Sequence, residues 1–380
     1  MMKKINIFER SKIPFNRFRA SAGKQLNAAQ PDEALAKTGY IMIFTLLIVG
    51  AAMLIVTYVG HRGSFYLPFS HMLFNREKAE MLALSGVQVA IAQLSQVDEK
   101  NSSSSDKSKE KAHDEQNLLE RILPTLNRWQ QFDVQEDRDG VDGQIKICLM
   151  CEEGKINLNR IIDFDKGAFQ GDEKAGWKVI MQELCKTMEK FTKADNLFPA
   201  LEKIIKDAKY EFNDATELIT RKEFAPFKDI LFYRPPTQKK QDTIYLTDIF
   251  TVWSSSDKLE PWLFSDSVNA LLGLPRVEVD DIKKRKEQIQ NWVKNFKVQA
   301  NWQQDWTTML MPVYGKELRT LPKYIDSMLS TNFAPRFFSV LVEGKVGDIT
   351  QRMYAILERN KRSQGDVIEY DVIMKKLYWL

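Results

Sequence analysis

The sequence predicts an α+β fold in which a long N-terminal helix packs on an antiparallel β-sheet that carries a large inserted α-helical domain. Three observations predict it. Residues 40–59 are uncharged and mostly apolar, and an apolar stripe with helical spacing follows them. Strand-like segments occur between Phe132 and Asn159 and again after residue 333. A mainly helical stretch separates these strands, so one sheet interrupted by helices is expected.

The run from Tyr40 to Val59 is long enough to cross a membrane. Twenty residues in a helix span about 30 Å, the thickness of a bilayer core. Eleven of the twenty are Ile, Leu, Val or Phe, and each favours insertion by about 0.3 to 0.6 kcal/mol. We therefore expect residues 40–59 to form a transmembrane helix in a single-pass protein.

Charge predicts the orientation of this helix. Residues 1–39 carry a net charge of +5, whereas the whole chain carries +4. Basic flanks stay in the cytoplasm, so residues 1–39 are expected to be a flexible cytoplasmic leader. A secretory signal has a shorter apolar region followed by its cleavage site. Here the small residue, Gly39, precedes the apolar run, which favours either a plain anchor or a prepilin-type signal cut before Tyr40.

Residues 60–100 are predicted to form the part of the N-terminal helix that lies outside the membrane. Gly60, Gly63 and Pro68 are expected to interrupt the helix just beyond the bilayer. An apolar stripe then follows at steps of three or four residues: Met81, Leu84, Val87, Ile91 and Leu94. Such a stripe must pack against either its own domain or neighbouring subunits.

Residues 101–117 are rich in Ser, Lys, Asp and Glu and contain no large apolar residue. This composition predicts a flexible, solvated loop.

Residues 118–164 are expected to supply the first strands of the sheet. Asp139-Gly140 and Asp142-Gly143 are typical of hairpin turns. Four carboxylates cluster here and could ligate calcium, which prefers several oxygen ligands, although their spacing does not fit an EF-hand loop: Glu136, Asp137, Asp139 and Asp142. A polar turn is the alternative interpretation, and no other cofactor is expected.

Three cysteines are too few for a disulfide scaffold. Cys148 and Cys151 lie on a predicted strand, where positions three apart point to opposite faces. This arrangement disfavours both a direct bridge and a zinc site. Cys185 is predicted to be a buried thiol on a helix, and a bridge to one of the other two stays open.

Residues 165–332 are expected to form the inserted helical domain. Four stretches have helical patterns: Glu173–Phe191, Phe198–Lys209, Ser265–Leu272 and Asp280–Phe296. The basic run Lys283–Lys286 is interpreted as a solvated helix face, and no nucleic-acid partner is expected.

Residues 333–380 predict a β-meander that completes the sheet. Phe338, Val340 and Val342 alternate with polar and apolar residues of the opposite face. Two further strands follow, and Gly-containing turns separate them.

The composition argues against most catalytic machinery. Residues 118–380 contain no histidine, which excludes Ser-His-Asp and Cys-His catalysis and His-ligated zinc from that part. We find no Gly-rich phosphate loop of the Walker type. A carboxylate pair or a Ser-Lys site stays open, as does an anchored sensor or binding module.

Three strings carry a resemblance to a known family. Gly154–Asn159, Val342–Gly347 and Tyr378-Trp379 resemble the K-type minor pseudopilins of type II secretion systems, the general secretion pathway protein K family. The resemblance implies a pilin-like fold with a large helical insertion and a noncatalytic role at the tip of a periplasmic pseudopilus. A minor pilin of a related type IV pilus system is the alternative.

The resemblance also implies processing, partners and location. A prepilin peptidase would cut after Gly39, and the new N-terminus at Tyr40 would be methylated. The protein would lie in the inner membrane with its globular part in the periplasm and join other minor pseudopilins and the secretion machinery. The stripe at Met81, Leu84, Val87 and Ile91 would be the assembly face.

The fifth residue after the proposed cut is Phe44, where most pilins have Glu. In such families this Glu is thought to pair with the N-terminal amine of a neighbouring subunit, and an unpaired carboxylate in a bilayer costs a few kcal/mol. A subunit with Phe44 inserts without that cost, as expected for a subunit at a filament tip.

Overall fold

The computed structural model describes residues 31–96, 107–171, 176–235, 243–275, 282–364 and 367–380. The chain divides into two units, Met1–Phe69 and Ser70–Leu380. Each unit is described by itself below.

The described part of the first unit is helical. Helix α1 spans Pro31–Ser95 and therefore begins within the predicted leader. A proline followed by two acidic residues, Asp32 and Glu33, favours a helix start. Residues 31–39 are thus helical, which corrects the prediction of a flexible leader there, and residues 1–30 lie outside the described residues.

Gly60, Gly63 and Pro68 do not interrupt the helix, because all three lie inside α1. This corrects the predicted break. A glycine in a helix costs only about 1 kcal/mol, and a proline removes one hydrogen bond. A helix of this length retains enough other bonds to continue, because propagation is cooperative.

The second unit contains the last part of α1 and the remaining described elements. Its other helices are α2 (Lys107–Ile122), α3 (Glu136–Asp139), α4 (Leu158–Ile161), α5 (Trp177–Thr192), α6 (Leu197–Asp207), α7 (Leu246–Ile249), α8 (Asp266–Leu271), α9 (Ile282–Val293), α10 (Trp302–Met309), α11 (Met311–Tyr314) and α12 (Ile325–Met328). Its strands are β1 (Trp129–Val134), β2 (Gly143–Cys151), β3 (Ile156–Asn157), β4 (Ile162–Asp163), β5 (Ala168–Phe169), β6 (Phe250–Thr251), β7 (Phe337–Val346), β8 (Ile349–Gln364) and β9 (Val367–Trp379). Short 3₁₀ helices occur at Glu152–Gly154, Ala215–Thr220, Lys222–Phe227, Pro261–Leu263 and Leu318–Thr320.

The main sheet has five strands in the order β1-β2-β7-β8-β9, and every neighbouring pair is antiparallel. Strands β2 and β7 are adjacent although the whole helical block separates them in sequence, with Cys148 opposite Leu341. The chain therefore leaves the sheet after Cys151 and returns at Phe337. This confirms the predicted α+β fold with a helical insertion.

The two faces of the sheet bury different partners. On one face, Val340 and Val342 join a core with the α1 residues Ala83 and Val87. On the other face, a separate core includes Leu341 with residues of the insertion and of strands β2 and β8: Cys148, Met150, Tyr233, Tyr354 and Ile356. The predicted alternation along β7 is confirmed, because successive side chains of a strand point to opposite faces.

Helix α1 approaches the sheet closely at two glycines. A Cβ atom added at Gly344 would lie 2.3 Å from the carbonyl oxygen of Ala79. One added at Gly86 would lie 2.4 Å from Cγ1 of Val342. Only glycine leaves room for this contact between helix and strand.

Helix α2 corrects the predicted loop over residues 101–117. Residues 107–117 are helical, and residues 101–106 lie outside the described residues. Leu118, Leu119 and Ile122 are buried in the core. The apolar residues lie at the C-terminal end of the helix, so the polar N-terminal turns have no apolar pattern that would predict them. Helix formation propagates into these turns from the packed end, because it is cooperative.

The insertion contains the four predicted helices. They appear as α5, α6, α8 and α9, with ends shifted by one to four residues, which is the usual uncertainty of helix boundaries. Four tryptophans of this region are buried: Trp177, Trp262, Trp302 and Trp306. The side chains of the basic run Lys283–Lys286 lie outside those that the structure describes.

Gly344→Ala is expected to destabilise the second unit. The added Cβ would collide with the backbone of α1, and overpacking of this kind costs about 1 to 3 kcal/mol. All eight tryptophans follow residue 69, so tryptophan fluorescence during urea unfolding of the detergent-solubilised chain reports on this unit.

The matched control for this prediction is Gly63→Ala, because a Cβ there meets nothing within 4 Å. The control should leave the free energy of unfolding unchanged or slightly higher. Equal stability of Gly344→Ala and the wild type would contradict the close approach of α1 to β7.

Candidate functional site

The predicted assembly residues of α1 fall into two groups. Phe44, Met81 and Leu84 are exposed, with 60%, 70% and 42% of their surface accessible. Val87 is fully buried against the sheet, and Ile91 is partly buried. Val87 therefore cannot contact another subunit, which corrects its assignment. Apolar spacing identifies a stripe but does not show which edge of it packs on the protein's own sheet.

One side of α1 within the second unit exposes large apolar residues. Phe74, Met81 and Leu84 define this exposed α1 face, with spacings of seven and three residues that place them on one side of a helix. The Lys78 ammonium lies 4.7 Å from the Phe74 ring centroid. Glu77 and Lys78 lie between Phe74 and Met81 on the same side, and such a mixture of exposed apolar and charged residues suits an interaction site.

The proposed cleavage position lies inside α1. Gly39 and Tyr40 are consecutive helical residues, and Tyr40 is 77% exposed. Among the described residues, one helix is long and apolar enough to cross a membrane, and its most apolar window has no buried residue. The first unit therefore exposes an apolar surface that suits lipid or other helices.

Two of the four carboxylates predicted as calcium ligands have other partners. Asp142 accepts a hydrogen bond at 2.7 Å from the backbone amide of Glu136, and Asp139 pairs with Arg138 at 2.9 Å. The described residues contain no group of three or more His, Cys, Asp or Glu side chains able to hold a metal ion. These carboxylates therefore do not fit a calcium site, and Asp137 joins no such group.

The positions of the three cysteines agree with those predicted from the sequence. Cys148 and Cys151 belong to the cores on opposite faces of the sheet, and Cys185 is buried on α5. All three thiols are free.

The string Gly154–Asn159 lies where the chain enters the insertion. A Cβ on Gly154 would lie 1.8 Å from the carbonyl oxygen of Leu263. The side-chain NH₂ of Asn159 donates to the carbonyl oxygen of Phe212, and the side-chain oxygen of Asn159 accepts from the backbone amide of Phe212. Both distances are 2.8 Å. The Asn157 amide donates to the carbonyl of Ser254. This segment therefore connects the sheet to the insertion through hydrogen bonds and close packing.

The other two strings are also structural. Val342–Gly347 contains the glycine that admits α1 to the sheet. The Tyr378 hydroxyl donates to Asp214 of the insertion, and its ring lies 6.0 Å from that of Tyr354. Trp379 is 53% exposed. Gly154–Asn159, Val342–Gly347 and Tyr378 thus take part in contacts of the sheet with α1 or with the insertion.

A buried ion pair occupies the junction, which we define as Cys151–Lys155 and Arg336–Ser339. The Lys155 ammonium pairs with Glu152 and lies 3.2 Å from the Ser339 hydroxyl. Thr251 of the insertion donates to the same Glu152 carboxylate. Lys155, Glu152 and Ser339 are each at most 2% exposed. The pair is therefore satisfied by partners from both the sheet and the insertion, as buried charges require.

Lys155 and Ser339 are near enough to suggest a Ser-Lys catalytic pair, but their environment opposes one. Burial is the largest single effect and disfavours the ammonium, yet the charges of Glu152, Tyr354 and Asp248 and the hydrogen bond to Glu152 together raise the pKa of Lys155. A catalytic lysine must be neutral to take a proton from serine. The charged, enclosed Lys155 therefore acts as a structural cation.

Hydrogen bonds to Glu153 connect the two segments of the junction. Its carboxylate accepts hydrogen bonds from the backbone amides of Arg336 and Phe337, each at 3.0 Å, and from the Cys151 thiol at 3.3 Å. Burial raises its pKa to about 7. Burial likewise raises the pKa of Asp248 in the insertion to about 6, although nearby Lys155 opposes the change. These two acids titrate close to neutral pH.

Sequence reasoning missed the role of the junction. The available signal was the polar string Glu152-Glu153-Gly154-Lys155 directly after a strand of buried residues. Charged residues that continue a buried strand must either reach solvent or find partners. Only the tertiary structure shows that the partners come from Ser339 and Thr251, far away in sequence.

Comparison with solved structures finds a structural similarity. The chain is similar to a chain of the GspK-GspI-GspJ complex of the type 2 secretion system of enterotoxigenic Escherichia coli, with a TM-score of 0.37 and 10% sequence identity. The alignment covers 84% of this chain and 99% of that chain. A similarity of this degree carries no argument about function. No protein-family model and no curated protein matches the sequence.

Stability of the second unit is expected to fall as the pH rises from about 5 to 8. Folding raises the pKa of Glu153 to about 7 and that of Asp248 to about 6, above their values near 4 in an unfolded chain. The folded state then binds more protons, so stability is highest below the unfolded pKa and is lost as pH passes the folded pKa. Between pH 5 and 8 the loss in free energy of unfolding should be on the order of 4 kcal/mol, and Tm should fall across this range.

Glu153→Gln should reduce this pH dependence, because glutamine stays neutral yet still accepts the two backbone hydrogen bonds. Glu317→Gln, at a partly exposed carboxylate, is the matched control and should keep the wild-type slope. Identical slopes in the wild type and Glu153→Gln would show that Glu153 does not titrate in this range.

Proposed function

We propose that this protein is a noncatalytic minor pseudopilin that forms or initiates the tip of a periplasmic pseudopilus in type II protein secretion. The observation that carries the proposal is the division of α1. Its last part packs on an antiparallel sheet, whereas its first part exposes an uninterrupted apolar surface between Tyr40 and Val59. A helix with this division suits a subunit that waits in a membrane and then assembles through the same helix.

The proposal includes cleavage after Gly39 by a prepilin peptidase and methylation of the new N-terminus at Tyr40. Support comes from the net charge of +5 before the apolar run and from the glycine at its start. The protein would then lie in the inner membrane, with the second unit in the periplasm.

A position at the filament tip is supported by Phe44 and by the insertion. Phe44 replaces the carboxylate that would need an amine partner in the bilayer, so the subunit enters a filament without a neighbour above it. The insertion between β2 and β7 adds bulk that would obstruct a subunit stacked above. Other minor pseudopilins are the proposed partners.

A noncatalytic role is supported by the use of the buried polar residues. Lys155, Glu152 and Ser339 are enclosed and paired with one another. The sequence after residue 117 contains no histidine. The charged groups at the junction therefore hold two parts of the fold together and present no reactive atom to a substrate.

The intact mass of the protein from membranes tests the processing step. With a co-expressed prepilin peptidase, we expect a chain that begins at Tyr40 and carries one added methyl group. Gly39→Leu should stay uncut, whereas Gly50→Leu, at a glycine with nothing within 4 Å, should be cut normally. A chain that keeps Met1 despite active peptidase would contradict the proposal and favour an anchored sensor or binding protein.

Met81→Asp is expected to abolish co-purification with other minor pseudopilins without unfolding the protein. Met81 is exposed on α1, so a carboxylate there disturbs only a partner's apolar surface. Tyr210→Asp changes an apolar residue of the insertion that is 83% exposed and should assemble normally. Both variants should keep the wild-type Tm, and normal assembly of Met81→Asp would exclude the exposed α1 face as the partner site.

A further inference from the structure

Both edges of the five-stranded sheet lack a neighbouring strand. The order β1-β2-β7-β8-β9 places β1 at one edge and β9 at the other, and neither has a second partner strand among the described residues. An edge strand presents unpaired N–H and C=O groups to any strand that approaches it. The two edges are therefore surfaces on which a strand of another molecule can dock.

Strands β1 and β9 run in the same direction. Four successive antiparallel pairings connect them, and an even number of reversals restores the original direction. A second copy placed beside the first in the same orientation therefore meets β9 with its own β1. The two strands are then parallel, which is one of the two ladder arrangements that sheets use.

Helix α1 disfavours the pairing of β9 with the β9 of another copy. Two identical edge strands pair antiparallel about a two-fold axis, which reverses α1 in the second copy. Because α1 lies along β7, with Ala79 beside Gly344 and Gly86 beside Val342, its N-terminal end would leave the two sheets at opposite ends. Copies anchored in one membrane through the apolar run of α1 need those ends on the same side.

Exposed apolar side chains of the two edges lie on the same face of the sheet. Phe132 is opposite Ile145 on β2, and Met374 is opposite Leu357 on β8. Ile145 and Leu357 both belong to the core that contains α1, and residues directly opposite each other share a face. Phe132 and Met374 are 39% and 40% exposed, so pairing of the two edges would bury apolar surface on both.

Charges favour one register of this pairing. With Phe132 beside Met374, Asp133 lies beside Lys375, the next residue along each strand. Lys375 has no partner on β8 because it is the extra residue of a β-bulge. Its side chain pairs with Glu358 at 3.2 Å and keeps 41% of its surface accessible, and Asp133 is exposed. Lysine at an edge opposes pairing in general, but an acid directly opposite makes the pair favourable.

We propose that β1 of one copy of this protein pairs in parallel with β9 of another copy and extends the sheet across the two molecules. The partner is thus a second copy of the chain, selected by strand direction, by the shared apolar face and by the pair of Asp133 with Lys375. The pairing is heterologous and leaves one edge free at each end, so rows of more than two copies can form. This inference goes beyond the proposed function and stands if the pseudopilin proposal fails.

Disulfide cross-linking between copies tests the proposal. Full-length Phe132→Cys and Met374→Cys chains that carry different affinity tags are co-expressed and oxidised in the membrane. Within one copy the two positions are four strand spacings apart, about 19 Å, which is too far for a disulfide. The native cysteines are buried. We expect a linked pair that contains both tags, and no link when either variant is expressed alone.

The matched control for the cross-link is Tyr210→Cys, at a position of the insertion that is 83% exposed. It should form no link with Met374→Cys. A link in Met374→Cys expressed alone would indicate β9–β9 pairing and would overturn the proposal. A link to a different membrane protein in place of the second copy, or no link at all, would also overturn it.

Exchange of the two charges tests the register. Asp133→Lys in the Phe132→Cys chain should lower the yield of the linked pair by about threefold, and Lys375→Asp in the Met374→Cys chain should restore the yield. Glu358 keeps its pair with Arg336 when Lys375 is replaced, so both chains should stay folded, which the Tm of each variant checks. An unchanged yield in Asp133→Lys would contradict the proposed register.

Discussion

The ion pair between Lys155 and Glu152 is the interaction on which the joining of the two parts of the second unit depends. A buried charge costs several kcal/mol unless it is paired and hydrogen-bonded. Here the partners come from Ser339 on the returning strand and Thr251 in the insertion. The pair is therefore satisfied only when sheet and insertion are both in place, and this requirement couples the folding of the two regions. Glu153 adds a second connection to the start of β7.

The packing of helix α1 depends on a different constraint, its close approach to strand β7. Its contact with the sheet depends on the absence of a Cβ at Gly344 and Gly86, so helix and strand lie closer than other side chains permit. Such close contact aligns Val87 with the core and leaves Met81 in solvent. The same geometry that stabilises the unit thus decides which residues remain for a partner. The proposed assembly role and the stable fold therefore use opposite sides of one helix.

The buried acids give the second unit a dependence on pH that its surface charges do not. Glu153 and Asp248 are enclosed, and their pKa values of about 7 and about 6 reflect the cost of burying charge.

The sequence by itself determined the apolar run at Tyr40–Val59, the alternation along β7 and the helical nature of the insertion, because each depends on local spacing and composition. The tertiary structure decided what depends on distant partners. Val87 is core and Met81 is surface because of the sheet that α1 contacts, and the first turns of α2 are helical because its last turns pack in the core. The acidic cluster at Glu136–Asp142 could ligate a metal by composition, yet the fold directs the Asp139 carboxylate to Arg138 and the Asp142 carboxylate to a backbone amide.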